Sequence, residues 1–169
     1  MKKTALFAAF ITVLACPVIA QPGSTPQEPA YKRFPTTPPL QLLLTDSATW
    51  FTKKDIAAKK PVFIMLFSPD CDHCQHETEE IIKRIDDLKK IQIIMSTTQP
   101  FEKMKSFYEH YGLSRFSNIT VGKDVNYTLP VFYDVRTLPF LAFYNKKQEL
   151  ITVFEGTMPV DKVLETLNK

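Results

Sequence analysis

Two thiols three residues apart, Cys71 and Cys74, enclose Asp72 and His73, and His76 follows shortly after. Three residues is close to one helical turn. In a helical segment the two α-carbons therefore come within the roughly 4.4–6.8 Å over which a disulfide can close. If Cys71 opens that helix, free N–H groups and the positive end of the dipole face its sulfur and favour thiolate over thiol. Cys71 is then the candidate nucleophile. Cys74, one turn deeper, is the candidate resolving thiol that attacks the mixed disulfide and releases the product. An imidazolium at His73 pulls Cys71 further toward thiolate. Carboxylates at Asp72 and Asp70 act in the opposite direction if they approach the sulfur, so the residue types alone leave the net sign open.

Two other chemistries fit the same residues. A structural disulfide is possible, although closing so small a loop removes little chain entropy. A copper or zinc module could use Cys71, His73, Cys74 and His76 as soft and borderline ligands. Against it, adjacent His73 and Cys74 rarely reach one ion, and the chain has no second ligand cluster. Thiol exchange itself needs neither metal nor cofactor.

A junction of strand and helix must position the pair. Pro61 introduces Val62-Phe63-Ile64-Met65-Leu66-Phe67, a continuous apolar run that reads as a strand buried on both faces. Behind the cysteines, Ile81, Ile82, Ile85 and Leu88 recur on one helical face. Residues 91–95 form a second buried strand. Pro100 opens a helix whose Phe101, Met104, Phe107, Tyr108 and Tyr111 share a face, until Gly112 stops it. A strand, helix, strand crossover implies parallel pairing. Residues 117–123 add a short strand. Leu141-Ala142-Phe143-Tyr144 and residues 150–154 form a hairpin across the polar turn Asn145-Lys146-Lys147-Gln148, and Pro159 begins a last helix striped by Val160, Val163, Leu164 and Leu167. Before all this, Leu40, Leu42 and Leu44 suggest a short strand with one buried face, with Trp50 and Ile56 packing this opening lobe onto the body.

The ends read differently. Residues 1–20 combine a basic start (Lys2, Lys3) with an apolar run too short to span a membrane, which is the pattern of a secretory signal. Val18-Ile19-Ala20 before Gln21 suits ordinary cleavage and is the preferred reading. Val13-Leu14-Ala15-Cys16 resembles a lipoprotein box that would make Cys16 a lipid anchor. Residues 21–39 hold six of the thirteen prolines and read as an extended linker, leaving residues 40–169 as one globular domain. Without Lys2 and Lys3 the formal charge falls from +3 to +1, and no Lys or Arg run interleaves with aromatics, which excludes a nucleic-acid-binding role.

Residues 38–168 resemble the thioredoxin superfamily, and more closely its exported TlpA/ResA-like thiol-disulfide oxidoreductases with an extra N-terminal hairpin. The resemblance rests on Cys71-x-x-Cys74 after a buried strand, on Glu77 three residues past the second cysteine, and on Gly156. It rests equally on Tyr133-Asp134-Val135-Arg136-Thr137-Leu138-Pro139-Phe140-Leu141-Ala142-Phe143-Tyr144, which is similar to the segment carrying that family's cis-proline. It implies an α/β, thioredoxin-like fold: a central mixed β-sheet flanked by helices, with a short N-terminal β extension. It also implies a cis bond before Pro139, which lies against the Cys71 sulfur and leaves the Leu138 backbone free to pair with substrate. The implied partners are protein thiols and disulfides in the bacterial periplasm and an upstream redox partner, one that can be membrane-bound, with reduction the favoured direction. Two departures stand out. Ser68-Pro69-Asp70 replaces the usual Trp-containing approach, and Met65 occupies the place of the buried acid, which leaves Glu77 as the candidate for proton transfer. A thiol peroxidase is a further alternative, weakened because Ser68 stands where a Thr-x-x-Cys arrangement would need threonine. Copper-delivery proteins of this fold separate their cysteines by three residues rather than two.

Overall fold

The computed structural model describes residues 28–168, so the expected signal, Cys16 and residues 21–27 of the expected linker lie outside the described residues. In chain order the elements are α1 (Ala30–Arg33), β1 (Gln41–Leu44), β2 (Trp50–Thr52), β3 (Val62–Leu66), α2 (Asp72–Lys83), β4 (Gln92–Thr97) and α3 (Phe101–His110). They continue with β5 (Ile119–Lys123), α4 (Thr128–Tyr133), β6 (Phe140–Tyr144), β7 (Leu150–Glu155) and α5 (Val160–Leu167). The strands form one sheet in the order β2-β1-β5-β4-β3-β6-β7. β4 is parallel to β3 and to β5, and the remaining pairs are antiparallel.

The apolar run of β3 forms an interior strand because both of its edges are paired and both of its faces are covered. Phe63, Met65 and Phe67 enter the core on one face, and Val62, Ile64 and Leu66 enter the core on the other. The crossovers from β3 to β4 and from β4 to β5 step the same way across the sheet, so right-handed connections lay α2 and α3 on the same face. α5 joins them there through Val163 and Leu167, beside Ile81, Met104 and Phe107. Leu129 and Tyr133 of α4 cover the opposite face, with Tyr31 of α1 packed against them. The expected mixed sheet with helices on both faces is what the chain forms.

Several local features differ from the sequence reading. α4 was not legible, because Thr128, Pro130, Val131 and Phe132 are weak helix formers. It is held by the buried Asp124 carboxylate, which accepts the N–H groups of Thr128 (3.1 Å) and Leu129 (2.8 Å). In the opening hairpin, Phe51 stands opposite Leu42 and is buried, whereas Trp50 points outward and is 43% exposed. α2 ends at Lys83, so Ile85 and the buried Leu88 pack from a following series of turns. The described part of the proline-rich segment is also less extended than expected. After the single turn of α1, Thr36 bridges to Glu149, the Leu150 N–H donates to the Pro35 carbonyl (2.9 Å), and Thr37 is buried.

β5 meets β1 so closely that one residue on it cannot carry a side chain. A Cβ on Gly122 would lie 2.7 Å from Leu42 Cβ and 3.3 Å from the Leu43 carbonyl oxygen. Both are fixed by the β1–β5 pairing, so neither can give way. Gly122→Ala is expected to cost about 1–3 kcal/mol by overpacking. A lower urea midpoint at unchanged m-value would register that cost.

Candidate active site

β3 delivers the chain to the site. The Phe67 N–H still bonds to the Ser96 carbonyl (3.0 Å), after which Ser68-Pro69-Asp70 turns the backbone and the Cys71 N–H donates to the Ser68 carbonyl (3.1 Å). Cys71 is the N-cap of α2. Its carbonyl accepts the N–H groups of Cys74 (2.9 Å) and Gln75 (3.0 Å), and its Sγ accepts from the Cys74 N–H at 3.3 Å. A sulfur thus takes the position that a serine or aspartate oxygen usually fills, facing the unpaired N–H groups of the first turn. Gln75 Nε2 donates to the Pro69 carbonyl (2.8 Å), and Lys103 of α3 pairs with Asp70, so both anchor the turn. Asp70 is thereby directed toward α3.

Both cysteines are free thiols; Cys71 is partly exposed and Cys74 is fully buried. Burial, reinforced by the adjacent Cys71 sulfur and by Glu77, pushes the Cys74 thiol far above its ordinary range. The two sulfurs are therefore chemically unequal. The outer one meets solvent and a backbone N–H, and the inner one sits in the core among apolar side chains.

The second half of the site arrives on β6. The Leu138–Pro139 peptide is cis, and the Leu138 carbonyl oxygen lies 3.9 Å from Cys71 Sγ, where it accepts the thiol hydrogen. The Pro139 carbonyl accepts the N–H of Gly156 (2.8 Å), whose φ of 103° suits glycine. Among the described residues, the Leu138 N–H and carbonyl make no backbone–backbone hydrogen bond.

Glu77 lies on α2, one turn past Cys74, and is 2% exposed. Its Oε2 accepts the Met158 N–H at 2.8 Å, and its Oε1 has no partner. Burial raises its pKa from 4.5 to about 7, against the lowering effect of the Met158 bond. Asp72, His73 and His76 are all exposed, and neither Asp72 nor His73 hydrogen-bonds to a sulfur. Among the described residues, no three His, Cys, Asp or Glu side chains converge into a set that could hold a metal ion. The structure thus brings Cys71, Cys74, Leu138, Pro139 and Glu77 together and leaves Asp72 and His73 at the rim. Residue types gave no sign of Met158, because it contributes through a backbone N–H. The tie from Lys103 to Asp70 spans thirty-three residues and has no local sequence signature.

A buried β3, a thiol pair opening the next helix, and a Leu138 carbonyl brought to the first sulfur from the start of an antiparallel neighbour together decide the architecture. The fold is thioredoxin-like. It is similar to a secreted disulfide oxidoreductase of Mycobacterium tuberculosis that is homologous to E. coli DsbE. That match has 19% identity over 75% of this chain and 92% of the other, with a TM-score of 0.63. It is similar to the exposed lipoprotein thioredoxin of Streptococcus pneumoniae, with 19% identity over 77% and 98% and a TM-score of 0.59. StoA from Bacillus subtilis shares 15% identity over 78% and 98%, with a TM-score of 0.59. No protein-family model and no curated protein matches the sequence. At these identities the shared property is the thioredoxin-like fold.

Glu77 makes the stability of this thioredoxin-like domain depend on pH. Its folded pKa, about 7, lies above the ordinary 4.5, so the folded state holds the proton more tightly than the unfolded chain does. The resulting stability is fully present below pH 4.5 and is lost as pH rises toward 7, a change of about 3 kcal/mol. Glu77→Gln keeps an acceptor for the Met158 N–H and removes the titration. Urea midpoints at pH 4.5 and pH 8 should therefore differ less in the variant, which is expected to be the more stable protein at pH 8.

Proposed function

We propose that the protein is a thiol-disulfide oxidoreductase that reduces disulfides in exported proteins. The observation that carries this reading is the partly exposed Cys71 sulfur, capped by the Cys74 N–H and set beside the Leu138 backbone, which takes no backbone partner among the described residues. The Cys71 thiolate attacks one sulfur of a substrate disulfide. The substrate S–S bond breaks, the departing sulfur takes up a proton, and a mixed disulfide joins Cys71 to the other substrate sulfur. Cys74 then loses its proton and attacks Cys71 Sγ, so the second substrate thiol leaves and a Cys71–Cys74 disulfide remains. The substrate has gained two electrons and the protein has lost two.

Burial makes Cys74 a poor acid, so its deprotonation needs a nearby acceptor. Glu77, one helical turn on and half ionised near neutrality, is the group assigned to that role. The Leu138 backbone docks an extended segment of substrate beside Cys71, and Pro139 shapes that edge. A dithiol donor restores the reduced pair.

The reductive direction is supported by the burial of Cys74, which disfavours its thiolate. Stabilising the reduced form makes a disulfide more oxidising. Here Cys71 Sγ accepts one backbone N–H, Cys74 is disfavoured as thiolate, and the exposed His73 donates to neither sulfur. Export to the periplasm, free or tethered through Cys16, rests on the N-terminal signal pattern. Among the described residues, no helix is long and apolar enough to cross a membrane.

Insulin reduction by the purified domain tests the reading. Cys71→Ser is expected to abolish turnover, and Cys74→Ser to accumulate a mixed disulfide with substrate. Absence of thiol-dependent turnover together with stoichiometric copper or zinc would replace the enzyme by the metal module. Equilibration against glutathione is expected to place the Cys71–Cys74 couple near the −270 mV end of the roughly −270 to −120 mV spanned by Cys-x-x-Cys proteins. A value at the opposite end would reverse the direction.

A further inference from the structure

Among the described residues, two buried side-chain polar atoms have no hydrogen-bond partner, Glu77 Oε1 and Ser96 Oγ. The first belongs to the buried Glu77 carboxyl described above. The second belongs to a residue with no assigned role. Ser96 sits near the end of β4, in register with Leu66 of β3 and Gly122 of β5, and is fully buried. Partners in register on parallel strands point to the same face, so its hydroxyl is directed with Leu66 toward the α4 side of the sheet. There it borders a cavity of about 250 Å³ at the ends of the strands, walled by Leu66, Pro130, Val135 and Leu138, with Tyr127 and Arg136 at the mouth.

Three further observations connect this cavity to the thiol site. Leu138 forms part of its wall, and the carbonyl of the same residue lies 3.9 Å from Cys71 Sγ. The cavity therefore opens one residue away from the reacting sulfur. Its volume is below the roughly 300–1,000 Å³ of small-molecule sites and suits a single side chain. The loops at its mouth hold unusual backbone: Tyr127 and Asp134, at the two ends of α4, have φ of 56° and 53°, and Tyr127 is more than half exposed. Such conformations in bulky or polar residues persist where the surroundings impose them, and they cluster around ligand sites. The charged and polar neighbours are already occupied. Arg136 pairs with Asp134, the Lys123 ammonium bonds to the carbonyls of Thr98 and Gln99, and Thr97 Oγ1 accepts the Gln99 N–H. Of the polar side-chain atoms lining the cavity, the Ser96 hydroxyl is the one that is both buried and without a partner among the described residues.

We propose that this cavity is a subsite for one side chain of the substrate polypeptide, adjacent to its reacting cysteine. The side chain it takes has an apolar stem and a neutral hydrogen-bonding tip, as threonine, asparagine and glutamine do. The stem packs on Leu66, Pro130, Val135 and Leu138, and the tip reaches the Ser96 hydroxyl. An aliphatic side chain fills the space but leaves that hydroxyl unpaired, and a charged one loses its hydration without a counter-ion. The proposal rests on the oxidoreductase reading, since substrate is taken to dock along the Leu138 backbone. A chain extended at about 3.3 Å per residue then carries the neighbour of the reacting cysteine to the cavity mouth.

The test uses disulfide-bearing peptides that differ only in having threonine or valine beside the cysteine, on either flank, together with a small aromatic disulfide that has no flanking side chain. The wild-type protein is expected to favour threonine over valine at one flank by about three- to tenfold in kcat/KM, the range of one neutral hydrogen bond. In Ser96→Ala, with its fold checked by thermal melting, the two peptides should become equivalent. Val135→Phe fills the cavity while leaving Ser96 in place and should slow both peptides together. Equal rates for threonine and valine at both flanks in the wild-type protein, or an undiminished preference in Ser96→Ala, would overturn the subsite while leaving the oxidoreductase reading intact. Failure of Cys71 to react even with the small disulfide would sink both.

Discussion

The antiparallel pairing of β3 with β6 is the constraint from which the site follows. Cys71 comes after the C-terminal end of β3 and Pro139 immediately precedes β6, and the register sets Leu66 opposite Phe140. Two residues far apart in the chain are thereby forced to one end of the sheet, with the first sulfur beside the cis peptide. The pairing is secured by burial. Val62, Phe63, Ile64, Met65, Leu141, Ala142 and Phe143 have no solvent exposure, and Phe63 stacks on Phe143 at 5.0 Å. Each large side chain contributes roughly 1.5–3 kcal/mol on being buried. A slip of one residue would exchange the two faces of β6 and separate the site.

The same core that secures this register also holds two ionisable groups. Cys74 and Glu77 lie one turn apart on the inward face of α2, and both are held toward their neutral forms by lack of water. The strand before the cysteines contributes no acid, since β3 is apolar and buried throughout. The carboxyl group comes instead from the helix after the cysteines, and its orientation is set by the Met158 N–H in the loop leading to α5. The Glu77 carboxyl and the start of the last helix are thus tied through one hydrogen bond.

Much of this was legible in the sequence, for identifiable reasons. β3, β4 and β6 announce themselves as unbroken apolar runs. α2, α3 and α5 show as stripes, and Pro100 and Pro159 mark the starts of α3 and α5. The cysteine spacing and the Leu138-Pro139 segment likewise stand out within short windows. What stayed hidden depends on contacts between distant residues. α4 exists because the Asp124 carboxylate binds two of its N–H groups, and a row of weak helix formers gives no hint of that. Phe51 rather than Trp50 is buried because the β1–β2 register decides between neighbours of equal apolar character. Glu77 was visible as a residue, but its raised pKa comes from three-dimensional burial, and Ser96 looked like any polar residue at a strand end.

The outer strands show how the sheet controls further pairing. β2 is only three residues long and runs directly into Lys53 and Lys54, while β7 is partly covered where Pro35 and Thr36 add bonds beside it. Short length, lysines and a covering segment each blunt an edge that could otherwise recruit a foreign strand and start aggregation. The backbone at Leu138 has none of these protections. Among the described residues the two edges of the sheet are thus shortened or partly covered, whereas the Leu138 backbone beside the sulfur takes no backbone partner.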